Sequence, residues 1–140
     1  PDDHCNYCSI YRCCSVKHGF ETCADCEEFA CDRFRKWFDK DSFVTHCKCD
    51  SNIKKMKRIG VVDLLKEEAE KKVILEIMLE RYNPGRSMSF YCLVSALISA
   101  KSLKRVINQI ENSEGDKPRL LKSLIQELAD QEGVNLRLRK

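Results

Sequence analysis

Cysteine is crowded into one end of this chain. Nine of its ten cysteines lie between Cys5 and Cys49, and all three histidines lie within that stretch or next to it. A segment of this size buries too little apolar surface to be stable by itself, so cross-links or a bound metal are expected to hold it together. The distribution predicts a Cys-rich metal-binding module at residues 1–50 and a helical domain at residues 51–140.

The spacing of the cysteines favours a metal over disulfide bonds. Two Cys-x-x-Cys pairs, Cys5/Cys8 and Cys23/Cys26, have 14 residues between them. Each pair puts two thiolates on one tight turn, and two such turns complete the tetrahedron of a structural zinc ion. A disulfide framework is the alternative, because the ten cysteines of the chain are an even number that could also pair. We therefore predict one zinc ion, bound by Cys5, Cys8, Cys23 and Cys26.

A second metal ion is the next hypothesis. The pattern Cys-x2-Cys-x4-Cys that starts at Cys5 is repeated 18 residues later from Cys23, so two similar turns could face each other across one or two ions. Cys14 directly follows Cys13, and because adjacent side chains diverge, one of these two is expected not to bind. The candidate ligands of the second site are Cys13, Cys31, Cys47, Cys49 and His18.

The predicted zinc site is structural. Four thiolates leave no open position for the water that zinc-dependent hydrolysis needs. The sequence has neither His-Glu-x-x-His nor His-x-Glu followed by Cys-x-x-Cys, so the common signatures of zinc enzymes are missing. Two other classes stay open. The thiols could hold an iron–sulfur cluster or act as a redox pair, and the basic run at residues 54–58 could contact nucleic-acid phosphates.

Helical periodicity dominates the rest of the chain. With 43% hydrophobic residues a core can form, and strand alternation is lacking, so we predict a mostly α fold in which the Cys-rich metal-binding module is followed by a helical bundle. Caps and breakers delimit helices at 24–39, 51–58, 61–82, 90–99 and 103–112, and a last helix between Asp116 and Gly133.

Two expectations concern the core of this bundle. The inward face of the helix at 61–82 is predicted to consist of Val62, Leu65, Ala69, Val73 and Ile77, widened by Ile74 and Met78. Cys92 stands in an almost wholly apolar segment, and free cysteine behaves as a small hydrophobe. It is therefore predicted to be a buried core residue and not a metal ligand.

The cysteine blocks at 5–31, together with the run Asn-Pro-Gly-Arg-Ser-Met-Ser-Phe-Tyr-Cys-Leu at 83–93, resemble a known family. They are similar to a cysteine-rich domain-of-unknown-function family of archaea and bacteria. Cys14 stands where that family more often has a small residue, and Ala30 where it tends to have Pro. The resemblance implies zinc without implying an activity, and it implies a further cysteine block upstream of Pro1. The matching positions are Cys5, Cys8, Cys13, Cys23, Cys26 and Cys31.

Taken together, these patterns predict a non-catalytic zinc-binding protein that acts as an adaptor or regulator, with another protein as its partner. No apolar run approaches the roughly 20 residues that span a bilayer, so no membrane segment is expected. The charged composition and the reduced state that metal-binding thiols need favour a cytoplasmic location.

Overall fold

Helices make up most of the structure, which is a computed structural model that describes residues 7–42 and 44–140. Within these ranges the chain forms seven α-helices and no strands, and 67% of the described residues are helical. A π-helix, Arg12–Lys17, follows α1, and a 3-10 turn, Cys23–Asp25, precedes α2. The predicted mostly α fold is confirmed. The α-helices are α1 Ser9–Tyr11, α2 Asp32–Phe38, α3 Cys49–Ile59, α4 Val61–Tyr82, α5 Met88–Leu97, α6 Ala100–Glu111 and α7 Lys117–Gln131.

The chain divides into two compact units. One unit runs to Leu64 and includes Lys140, and the other is Leu65–Arg139. We call the first the cysteine-rich unit and the second the helical unit. Of the described cysteines, only Cys92 belongs to the helical unit. The assignment of metal binding to residues 1–50 and of a helical domain to residues 51–140 stays a prediction.

Side-chain caps fix where the later helices begin. The Ser99 hydroxyl accepts a hydrogen bond of 3.1 Å from the backbone N–H of Ser102 at the start of α6. The Asp116 carboxylate accepts one of 3.2 Å from Arg119 at the start of α7, with Pro118 in the first turn. Both bonds satisfy amide groups that have no partner inside the helix. The predicted start of the last helix at Asp116 is confirmed, and α4 has the predicted bounds, whereas α6 begins at Ala100, three residues before the predicted start.

The prediction of one continuous helix at 24–39 is wrong. In its place the chain forms the 3-10 turn, a non-helical stretch and then the short α2. The backbone N–H of Thr22 donates to the Asp25 carboxylate at 2.9 Å and so closes the 3-10 turn. Cys26 is extended, with φ −85° and ψ 125°. Its carbonyl accepts a hydrogen bond of 2.9 Å from Lys57 Nζ, so a neighbouring helix uses the group that a continuous helix would need.

One hydrophobic core holds the helical unit together. It joins the inner faces of α4, α5, α6 and α7. Tyr91 is its largest fully buried side chain, and its hydroxyl donates to the Tyr82 carbonyl at 3.1 Å. That carbonyl lies in the last turn of α4, where no backbone N–H of the helix is available to donate to it. Residues with 0% exposure in this core include Met78, Tyr91, Val94, Ile98, Ile110, Leu121, Ile125 and Ala129.

Replacement of Tyr91 by Phe should lower the stability of the helical unit slightly. The ring volume is kept and only the buried hydrogen bond to Tyr82 is lost, so we expect a cost of about 1 kcal/mol in unfolding free energy. Urea denaturation followed by circular dichroism measures this. Tyr7 is 93% exposed, and Tyr7→Phe is the matched control with no expected change. Equal costs for the two variants would contradict the prediction.

The buried face of α4 differs from the main predicted stripe. Ile74, Met78 and Tyr82 face the core, at 2%, 0% and 4% exposure. Val62, Leu65 and Val73 are 67%, 61% and 55% exposed, and Ala69 is exposed as well. Of the predicted set, Ile74 and Met78 are buried, and Ile77 packs partly against the core. Apolar residues occur on two sides of this helix, and the buried side is the one that continues into Tyr82 and its bond to Tyr91.

The prediction that Cys92 is buried is also wrong, because its side chain is exposed. α5 buries Tyr91, Val94 and Ser95, which follow the spacing of one helix face. Position 92 falls outside that face, four residues after Met88, which is 61% exposed. The apolar composition of α5 is correct as a core signal, but only one side of the helix meets the core.

Candidate metal centre

A small cavity in the cysteine-rich unit collects several thiols. Its volume is about 30 Å³. Its other walls are mainly apolar, from Ile10 and the rings of Phe20, Phe29 and Phe34. We call it the cysteine cavity. The possible metal ligands that line it are Cys13, Cys14, Cys23, Cys26, Cys31 and His18.

Cys14 and Cys23 both line the cysteine cavity and are near enough for each to affect the other's pKa. Cys14 is buried at 8% exposure, and its sulfur lies 3.7 Å from the Phe20 carbonyl oxygen. The backbone N–H of Phe20 donates back to the Cys14 carbonyl at 3.0 Å. The end of the π-helix is thus folded back so that Cys14 points at the Cys-x-x-Cys turn.

Hydrogen bonds from neighbouring residues hold the backbone of the Cys23–Cys26 turn. Thr22 and Asp25 form a reciprocal capping box around it, and the backbone N–H of Cys26 donates to the Cys23 carbonyl at 3.3 Å. Lys57 of α3 holds the Cys26 carbonyl and lies 5.8 Å from the centre of the Phe29 ring. These contacts fix the backbone of the turn while leaving both thiols turned to the cavity.

The thiols in the cavity influence each other's ionisation. Burial, followed by the neighbouring Cys14, Cys26 and Cys31, raises the pKa of Cys23 to about 12. Burial also raises the pKa of Cys14, although its hydrogen bond with Cys23 opposes the rise. Burial in an apolar pocket and neighbouring thiolates both disfavour the charged form, so the raised pKa values keep Cys14 and Cys23 protonated near neutral pH in this fold.

The structure brings together only part of the predicted zinc ligand set. Cys5 lies outside the described residues. Cys23 and Cys26 line the cysteine cavity, whereas Cys8 is not among the described residues that line it. As placed, no three or more His, Cys, Asp and Glu side chains within 7–42 and 44–140 could hold a metal ion. The set Cys5, Cys8, Cys23 and Cys26 therefore stays a prediction.

Only some of the candidate ligands of the second ion line the cysteine cavity. Cys13, Cys31 and His18 line the same cavity as Cys23, rather than a separate one, and the His18 ring stacks on Phe20 at 5.5 Å. Cys47 and Cys49 are half-buried, at or just before the start of α3, and are not among the described lining residues. Cys14, which belongs to neither predicted ligand set, is the more buried member of the adjacent pair and lines the cavity. In the sequence its only signal is its position directly after Cys13.

His46 is a structural histidine in this fold. Its side chain is 6% exposed and stacks on Trp37, with 4.0 Å between ring centres. Nδ1 lies 2.7 Å from the Lys40 carbonyl oxygen, which can only accept, so Nδ1 carries the proton. Nε2 then accepts from the Ser42 hydroxyl at 3.3 Å. Both ring nitrogens are used within the cysteine-rich unit, which accounts for the histidine without a metal.

Comparison of the chain with protein-family models, with curated proteins and with solved structures finds no match. The resemblance to a cysteine-rich family of archaea and bacteria stays a prediction. Among the residues that the structure describes, none of the helices combines the length and apolar character needed to cross a membrane.

Proposed function

We propose that this chain is a non-catalytic zinc-binding protein, in which the metal holds the cysteine-rich unit in shape for an adaptor or regulatory role toward another protein. The observation that carries the proposal is the cysteine cavity, where five thiols from three separate segments border one apolar space. Thiolate is the donor that structural zinc sites use most.

The small core of the cysteine-rich unit supports a structural role for the metal. Phe34 is its most buried aromatic residue at 3% exposure, and Phe29, Trp37 and Phe38 pack around it at 4.8–5.9 Å between ring centres. One cluster of aromatic rings is little for a unit of this length, and units of this size commonly depend on a metal or disulfides. A site closed by four thiolates would also leave no position for substrate.

The nucleic-acid alternative gains no support from the basic helix. Lys54 Nζ pairs with the Asp50 carboxylate at 2.7 Å, and Lys57 donates to the Cys26 carbonyl at 2.9 Å. Both contacts account for these lysines within the chain. An iron–sulfur cluster would use the same thiols as zinc, so the metal itself must decide between those two hypotheses.

Metal analysis of protein purified under reducing, anaerobic conditions tests the proposal. We expect a colourless protein with about one zinc per chain by plasma mass spectrometry, and little iron. A brown protein with iron and acid-labile sulfide would replace the zinc hypothesis by the iron–sulfur one. Protein that carries neither metal and fails to take up Zn²⁺ or Co²⁺ when titrated would overturn metal binding altogether.

A further inference from the structure

The cysteine cavity offers more thiols than one tetrahedral ion can use, and their burial distinguishes among them. Cys14, Cys23, Cys26 and Cys31 all line the cavity, and Cys14 is the most buried of its thiols at 8% exposure. These four cysteines come from the π-helix, the 3-10 turn, the residue after it and the N-cap of α2. They surround the cavity from both sides of the chain reversal at Gly19, whose φ is +66°.

We infer that the metal of the proposed function is bound by Cys14, Cys23, Cys26 and Cys31. This ligand set rests on the proposed function and differs from the paired-turn set of the sequence, because Cys14 and Cys31 take the places of Cys5 and Cys8. As placed, the thiols border the cavity without converging on one point, so binding draws the sulfurs inward to about 2.3 Å from the ion. A cysteine sulfur moves by rotation about one side-chain bond, between staggered positions.

The choice of Cys14 over Cys13 follows from burial. Cys14 is 8% exposed and its sulfur contacts the Phe20 carbonyl oxygen at 3.7 Å, whereas Cys13 is only half-buried. Adjacent side chains on a helix diverge, so one ion is expected to use only one of these two thiols, and Cys14 is the more buried of them.

Cations next to the cavity suit a four-thiolate ion, which has a net charge of about −2. Arg33 lines the cavity, and its guanidinium donates to the Ser9 carbonyl at 3.3 Å. Lys57 sits at the Cys26 carbonyl from the α3 side. Two positive side chains thus flank the ligand turn and compensate the negative charge of the bound site.

Cobalt substitution in the full chain tests the ligand set. Co²⁺ bound by four thiolates gives strong sulfur-to-metal charge transfer, and loss of one thiolate removes about a quarter of that intensity. We expect Cys14→Ser to lose most of its bound zinc, and Cys14→His to bind Co²⁺ with weaker charge transfer and shifted visible bands. Cys13→Ser is the matched control, with the wild-type spectrum and zinc content.

The outcomes separate this ligand set from the proposed function. If wild-type protein takes up neither Zn²⁺ nor Co²⁺, the proposed function is contradicted. Wild-type protein that binds metal, with an unchanged cobalt spectrum in Cys14→His, overturns the role of Cys14 alone. Loss of zinc in Cys13→Ser but not in Cys14→Ser would also overturn it. Because His keeps a donor at position 14, the test does not depend on whether the Ser variant folds.

Discussion

Removal of the metal is expected to unfold the cysteine-rich unit and leave the helical unit intact. Structural zinc contributes on the order of 10 kcal/mol to small metal-dependent folds, which exceeds what the few aromatic contacts around Phe34 can replace. The helical unit has its own core, from Ile74 to Ala129, with no cysteine among its buried residues. Trp37 is the only tryptophan and lies in the cysteine-rich unit, so its fluorescence reports on that unit. Circular dichroism reports mainly on the helices of the helical unit.

The experiment adds a chelator to reduced protein and records both signals. Trp37 fluorescence should change strongly, since its ring leaves the stack with His46. Far-ultraviolet circular dichroism should keep most of its helical signal. Readdition of Zn²⁺, but not of Mg²⁺, should restore the fluorescence, because thiolates favour the softer ion. Complete loss of helicity would contradict independent folding of the helical unit, and an unchanged Trp37 signal would contradict a structural metal.

Met78→Ala should strongly destabilise the helical unit. Met78 is 0% exposed between the helices of the core, and truncation of a buried Met to Ala costs about 2–5 kcal/mol through lost contacts and the cavity left behind. Denaturant unfolding followed by circular dichroism measures the cost. The midpoint should fall while the dependence on denaturant stays similar.

Leu65→Ala on the same helix is the matched control for Met78→Ala. Leu65 belongs to the stripe that the sequence predicted to be inward, yet it is 61% exposed. Its replacement should change stability by no more than about 0.5 kcal/mol. A large cost at Leu65 together with a small one at Met78 would restore the predicted helix face and contradict the observed one.

The start of α7 is predictable because local chemistry sets it. The Asp116 cap acts within one turn of the chain, so the sequence contains the whole interaction. The choice of buried face is different. α4 has apolar residues on two sides, and contacts with the later helices α5–α7 decide which side is covered. Periodicity alone predicts an apolar stripe on α4, but Val62, Leu65 and Val73 of that stripe are exposed.

The same distinction applies to the candidate metal centre. The Cys-x-x-Cys spacing correctly indicated that Cys23 and Cys26 share a turn, because that is a local property. The Cys26 carbonyl, within the predicted helix at 24–39, accepts a hydrogen bond from Lys57, which is 31 residues away in sequence. The burial of Cys14 accompanies the chain reversal through Phe20. Neither contact leaves a pattern that spacing could reveal.

The exposed position of Cys92 affects how the association of this protein should be studied. Its thiol is at the surface of α5, away from the core of the helical unit. In air, two chains can join there by an intermolecular disulfide without any surface recognition between them. A covalent dimer on a non-reducing gel would then reflect oxidation of the preparation. Oligomeric state should be measured with Cys92→Ser, which removes that linkage and leaves the buried face of α5 unchanged.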